Sequence, residues 1–179
     1  MKKSKKIILS GLLLSLYIIL SRFVSFKSQI LVISFSFIPI IISAIILGPK
    51  YSLVIAALGD FLGATLFPFG SYFIGFTIIE AFSGLIYGIF LYKKETQEEK
   101  NFFEGHNFFL RLLFSSFINL IIIGIFITGL MISKLYGQAY IVVLSSRAIT
   151  KTIMLPIQII IMYLLNKNII KYSKKYLLN

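Results

Sequence analysis

The chain has 179 residues, 58% of them hydrophobic and 13% charged, with a formal net charge of +12. A soluble domain is about half apolar and about a quarter charged, so this composition excludes a soluble enzyme and a disordered tail. With no cysteine, a disulfide scaffold, a thiolate metal site and a cysteine nucleophile are excluded as well.

A transmembrane helix takes ~20 apolar residues, and six such segments can be read along the chain. The first covers residues 6–23 and follows Lys2, Lys3, Lys5 and Lys6. Lysines ahead of an apolar run also mark a signal peptide, but Ser21-Arg22-Phe23 follows where a small-x-small cleavage site would stand. The segment is therefore expected to persist as a span. Within it, Gly11 and Ser15 form a small-xxx-small step of the kind that lets helices approach closely, inside the bundle or against a partner. The second segment, 35–47, is short for a span. It either begins earlier, in Ile30-Leu31-Val32-Ile33, or sits in the bundle as a short or broken helix. Gly48-Pro49-Lys50 breaks the chain, because proline cannot continue a helix and glycine tolerates the turn.

The third segment, 51–67, carries Gly59, Asp60 and Gly63 and ends at Pro68-Phe69-Gly70. The fourth, 72–92, contains Glu80 and a second glycine step, Gly84 and Gly88. Residues 93–107 are polar and read as a loop. The fifth and sixth segments, 108–132 and 145–166, enclose a connection that holds Tyr136 and Tyr140.

An even number of spans puts both termini on one side. That side receives 13 basic residues, from the N-terminus, Lys50, the 93–107 region with Arg111, and the C-terminus; the other side receives 5. The positive-inside rule then makes both termini cytoplasmic. The expectation is an all-α integral membrane protein of the plasma membrane, a single domain over 1–179 with six transmembrane helices in a compact bundle. The +12 charge is a topology signal and not a nucleic-acid footprint, since no basic face is interleaved with polar surface.

A titratable side chain at the centre of a span costs at least ~2.5–3.5 kcal/mol, so the few that occur are functional candidates. Arg22 closes the first segment at the outer face. Asp60 lies mid-way along the third, and Glu80 about 12 Å below the outer end of the fourth at ~1.5 Å per residue. Arg147 and Lys151 enter with the sixth, one turn apart on one face. Two arrangements satisfy these charges. Asp60 and Glu80 could pair with Arg147 and Lys151 to lock helices together. Alternatively, the five could line a polar pocket open to the outside, with a surplus positive charge for an anionic ligand; arginine's planar fork suits a carboxylate. Phe67, Phe69, Tyr72, Phe73 and Phe76 cluster at the outer end of segments three and four. They could serve as an interfacial belt or as faces for a flat ring.

The chain offers no machinery for catalysis. The single histidine, His106, falls in the polar loop, and neither a phosphate-binding Gly-x-x-x-x-Gly-Lys-Ser/Thr nor a Gly-x-Ser-x-Gly motif occurs. No enzyme activity, cofactor or metal is expected.

Several local patterns coincide in order and spacing. They are Leu20-Ser21-Arg22-Phe23; Gly48-Pro49; Gly59-Asp60-Phe61-Leu62-Gly63; the run from Leu66 to Thr77; Gly84-Leu85-Ile86-Tyr87-Gly88; Leu135-Tyr136-Gly137; and Arg147 with Pro156-Ile157-Gln158. Together the chain resembles the folate-specific S components of energy-coupling factor (ECF) vitamin transporters. The resemblance implies a six-helix binding subunit that captures a vitamin from outside and works with a transmembrane coupling subunit and two ATPases. It gives Gly11 and Ser15 the role of docking the coupling subunit. It also implies ligand contacts from Arg22, Asp60, Phe69, Tyr72, Phe76, Thr77, Glu80, Thr128, Tyr136, Arg147 and Lys151. In that arrangement the pterin enters deepest, donating to Glu80 or Asp60, and the glutamate tail stays at the mouth by Arg22, Arg147 or Lys151. The stretch from Thr128 to Ser133 departs from the family's pattern, which has a tryptophan there, and the chain has none. A different vitamin or precursor is thus the alternative ligand, and a stand-alone small-solute transporter the alternative class.

Overall fold

A computed structural model describes residues 2–27, 32–68, 72–92 and 106–172. The described chain is built of helices with one small hairpin. Helix α1 (Lys3–Arg22) leads into strands β1 (Ser25–Lys27) and β2 (Val32–Ser34), which pair antiparallel with Phe26 opposite Ile33. Then follow α2 (Phe37–Ile46), α3 (Pro49–Leu66) and α4 (Ile74–Leu91). Helix α5 has three stretches: α-helical His106–Ile118, π-helical Asn119–Ile127 and α-helical Thr128–Tyr136. Helix α6 (Tyr140–Tyr172) completes the described chain.

Among the described residues, four helices are long and apolar enough to cross a membrane: Lys3–Arg22, Ile74–Leu91, Asn107–Tyr136 and Tyr140–Leu165. Helix α3 carries Lys50 and Asp60 and is not among them. Helix α2 is too short. Its 10 residues reach about 15 Å against a ~30 Å hydrocarbon layer, and 7 of the 10 are buried. A helix that is apolar all round belongs in an interior, so the short-helix reading of the second segment holds. The chain ahead of it forms β2 where an earlier helix start was the alternative.

Other boundaries also move. Pro49 is the first residue of α3 and no break within it. Gly48 carries the turn at φ 89°, and proline's missing N–H costs nothing at a helix start. Tyr136 and Tyr140 are the last and first residues of α5 and α6, so the connection shrinks to 137–139, with Gly137 at φ 64°. The expected loop at 93–107 lies largely outside the described residues.

Helix α2 packs into a core with Ala56 of α3, Leu91 of α4, Phe108 and Leu112 of α5, and Met162 of α6, all fully buried. The most extensive helix pairing is α3 with α4. Both glycines of the α4 step lie against the start of α3: a Cβ on Gly84 would collide with the Ser52 carbonyl, and one on Gly88 with Pro49. The Ser52 hydroxyl donates to the Gly84 carbonyl at 2.8 Å. In lipid, such close backbone approach substitutes for the hydrophobic driving force available in water. The α3 step serves α1 in the same way, with Gly59 under the Tyr17 ring and Gly63 under the Arg22 guanidinium. Outward-facing Ile8, Ile141 and Leu164 leave an apolar exterior.

Candidate ligand-binding cavity

The core fills one end of the bundle, and a cavity of about 970 Å³ occupies the other. Small-molecule sites span ~300–1,000 Å³, so this one has room for a large ligand. Its wall is drawn from every helix and from β2. Of the ligand contacts expected from the sequence, Arg22, Asp60, Tyr72, Phe76, Glu80, Thr128, Tyr136, Arg147 and Lys151 line it. Phe69 lies outside the described residues. Thr77 is not a lining residue; it is buried behind Asp60.

The ion pairing differs from the helix-locking alternative that the sequence left open. Asp60 pairs across to α1, with Arg22 Nη2 at 3.5 Å from its carboxylate and 3.4 Å from its backbone carbonyl, and not with Arg147 or Lys151. Gly63 makes this possible, because a side chain there would displace the guanidinium. On the other side the Thr77 hydroxyl donates to Asp60 Oδ2 at 2.7 Å. With its one hydrogen used, Thr77 Oγ1 accepts from the Tyr72 hydroxyl at 2.9 Å. Asp60 is thus the hub of a chain running Tyr72–Thr77–Asp60–Arg22 that joins α4, α3 and α1 beside the cavity. Replacing Thr77 with valine keeps the shape but strips a donor from the carboxylate. The expected result is a loss of about 1–3 kcal/mol in stability, read as a lowered thermal midpoint in detergent; an unchanged midpoint would remove Thr77 from the chain.

Arg147 is 8% exposed, and its Nη1 donates to the Gly124 carbonyl at 3.3 Å. The Nε atoms of Arg147 and Arg22 are buried without an acceptor among the described residues. Lys151 packs its stem on the same Gly124, whose absent Cβ would lie 3.4 Å from Lys151 Cδ and Cε. Gly124 belongs to the π-helical stretch. The wider turn also lets the Thr128 hydroxyl reach the Ile123 carbonyl at 2.6 Å, five residues back. Glu80 lines the same cavity as Arg147 and Lys151.

Sequence reasoning gave no site role to the far end of the cavity, although Tyr87 and Gln158 stand in the quoted patterns. There Gln158 Nε2 donates to the Tyr87 hydroxyl at 2.7 Å and to Ser116 Oγ at 2.9 Å. Asn119 stands nearby on α5, with its Nδ2 on the Ser115 carbonyl at 3.1 Å. These are uncharged polar residues in apolar helices, and only their convergence from α4, α5 and α6 sets them apart. Gly11 and Ser15 take no part in the cavity. They lie on the exposed face of α1, with open space beside Gly11 and the Ser15 hydroxyl turned back onto the Gly11 carbonyl at 3.0 Å.

The sequence model of the family described as "ECF-type riboflavin transporter, S component" matches residues 1–171. The chain belongs to the S components of ECF-type transporters. Its relatives agree. A folate transporter FolT of Clostridium novyi (strain NT) is 31% identical over 163 residues, covering 91% of this chain and 88% of that protein. A FolT of Leuconostoc mesenteroides subsp. mesenteroides is 29% identical over 178 residues, covering 96% and 90%. A crystal structure of FolT bound with folic acid superposes with a TM-score of 0.79 at 33% identity, covering 92% of this chain and 96% of that one. This S component is accordingly a membrane protein of a transporter family, and membership implies an ECF energising module as its partner.

Proposed function

We propose that this S component binds folate from the extracellular side and hands it to an energising module made of a transmembrane coupling subunit and two ATPases. The observation that carries the reading is one cavity that holds Arg22, Arg147 and Lys151 beside only Asp60 and Glu80. Three basic side chains against two acidic ones leave the cavity wall with a net positive charge. A dianionic glutamate tail matches that surplus, and a pterin is flat enough for the faces of Tyr72 and Phe76. In this reading Arg147 and Lys151 hold the tail, Arg22 stands at the mouth, Glu80 accepts from ring N–H groups, and Thr128 and Tyr136 close the α5 side. The folate names of two relatives and the folic acid in the superposed structure support it.

The chain works as a single domain over 1–179 in a bacterial plasma membrane, a six-helix bundle with the short α2 in its interior and both termini cytoplasmic. The bias of 13 basic residues to 5 supports that orientation. The open face at Gly11 and Ser15 is suited to docking the coupling subunit.

Riboflavin is the second reading, favoured by the description of the matched family model. Thermal unfolding of detergent-purified protein separates the two. A ligand at 1,000 times its dissociation constant adds ~4.1 kcal/mol of stability, so folic acid is expected to raise the midpoint and riboflavin to leave it in place. A shift with riboflavin and none with folic acid would reverse the assignment.

A further inference from the structure

Tyr72 stands two residues ahead of α4, outside its helical hydrogen bonding, yet its ring is gripped at two points. Both grips come from adjacent residues of α3. Phe61 meets the ring in a T-shaped contact, with centroids 5.8 Å apart and planes at 73°. Asp60 acts through Thr77. The Asp60 carboxylate, paired with Arg22, can only accept, so the single Thr77 hydroxyl hydrogen goes to its Oδ2 at 2.7 Å. Thr77 Oγ1 is then an acceptor, which makes Tyr72 the donor in the 2.9 Å contact between the two hydroxyls. Both bonds thus have a fixed direction. Thr77 itself is 8% exposed and lies behind the wall, whereas Tyr72 is 38% exposed and lines the cavity.

We propose that Thr77 is a positioning residue: it makes no contact with the ligand and sets the Tyr72 ring, before the ligand arrives, in the plane on which a flat heterocycle stacks. The proposal rests on the folate reading and deepens it. The hydroxyl hydrogen of Tyr72 is already given to Thr77, so Tyr72 has no O–H left to donate to a ligand and meets it through the ring. An aromatic side chain on a free segment must be immobilised on binding, which lowers affinity. A ring already held at its edge and at its hydroxyl avoids that loss. Offset stacking also depends on a defined plane. Thr77 therefore acts from behind the site, and the consecutive α3 residues Asp60 and Phe61 link the ion pair with Arg22 to the stacking surface.

The test is isothermal titration of the detergent-purified full chain with folic acid. Thr77→Val removes the hydroxyl and keeps the shape, and Tyr72→Phe keeps the ring and removes its tether. Each is expected to weaken binding about three- to tenfold, the value of one immobilised side chain. Thr77→Ser retains the hydroxyl and should bind as wild type does. The decisive pair is Tyr72→Ala alone and Tyr72→Ala combined with Thr77→Val. With the ring gone, removing the Thr77 hydroxyl should bring no further loss of affinity, while the thermal midpoint still falls because Asp60 has lost its donor. A further loss of affinity in the double variant would show Thr77 acting through Asp60 and overturns the proposal. Wild-type affinity in Tyr72→Phe does the same, and is readable even where Thr77→Val fails to fold. Either result leaves the folate reading standing. Wild type that binds no folic acid overturns both.

Discussion

Arg147→Ala is expected to weaken folate binding at least tenfold while the protein still inserts and purifies as a folded species. The guanidinium is almost wholly buried in the cavity wall, one group is spent on the Gly124 carbonyl, and Nε has no acceptor. The guanidinium is therefore anchored on the Gly124 carbonyl within the cavity wall, where its charge is placed to pair with a carboxylate. Hydrogen bonds to charged groups contribute about 1.5–3 kcal/mol, and 1.4 kcal/mol is tenfold in affinity, so the estimate of tenfold is the lower bound of the loss. Arg147→Lys restores charge without the planar fork and should recover only part of it. Titration calorimetry reads the effect directly. Wild-type affinity in the alanine variant would remove Arg147 from the ligand and leave Lys151 as the remaining inner cation.

Gly88→Val is expected to produce the largest stability loss in the molecule. Overfilling a packed core typically costs about 1–3 kcal/mol. Here the obstructing atoms include the Pro49 backbone, with Ser52 Oγ at 2.7 Å from the Cβ position, and neither can step aside without separating α3 from α4. The most extensive helix pairing of the bundle, which also positions Asp60 against Thr77, would open. Gly11→Val adds the same bulk where nothing lies within 4 Å and serves as the internal control. Thermal midpoints in detergent should fall steeply for the first and hold for the second. Equal midpoints would show that the α3–α4 contact does not govern stability.

Those two glycine positions were legible in the sequence as small-xxx-small steps, but which one packs and which stays open was not. The reason is that spacing specifies a face without specifying what covers it. The apolar segments were readable to within a few residues because lipid enforces a long uniform signal. The hairpin was not, since strands of 3 residues are too short to establish a period of two. For the site, charge was the visible element. Arg22, Asp60, Glu80, Arg147 and Lys151 stand out in apolar runs and do converge on one cavity. The pairing of Asp60 with Arg22 depends on Gly63 bringing α1 close, a tertiary fact. Asn119 escaped notice because uncharged amides are tolerated in spans for many reasons, and Gln158 was visible only as part of the Pro156-Ile157-Gln158 pattern. Tyr87 was visible only as part of the Gly84–Gly88 motif.

The π-helical stretch of α5 has a consequence for how this chain can vary. Lining positions run through it from Asn119 and Leu120 to Ile123 and Gly124 and on to Thr128, Ile132 and Tyr136. Removing one residue between 119 and 127 would let the stretch relax to α-helix and rotate everything beyond it by about 100°, carrying Thr128, Ile132 and Tyr136 away from the cavity. The stretch is therefore constrained in length more than in composition: apolar residues can exchange there, but the count of residues is part of the binding site.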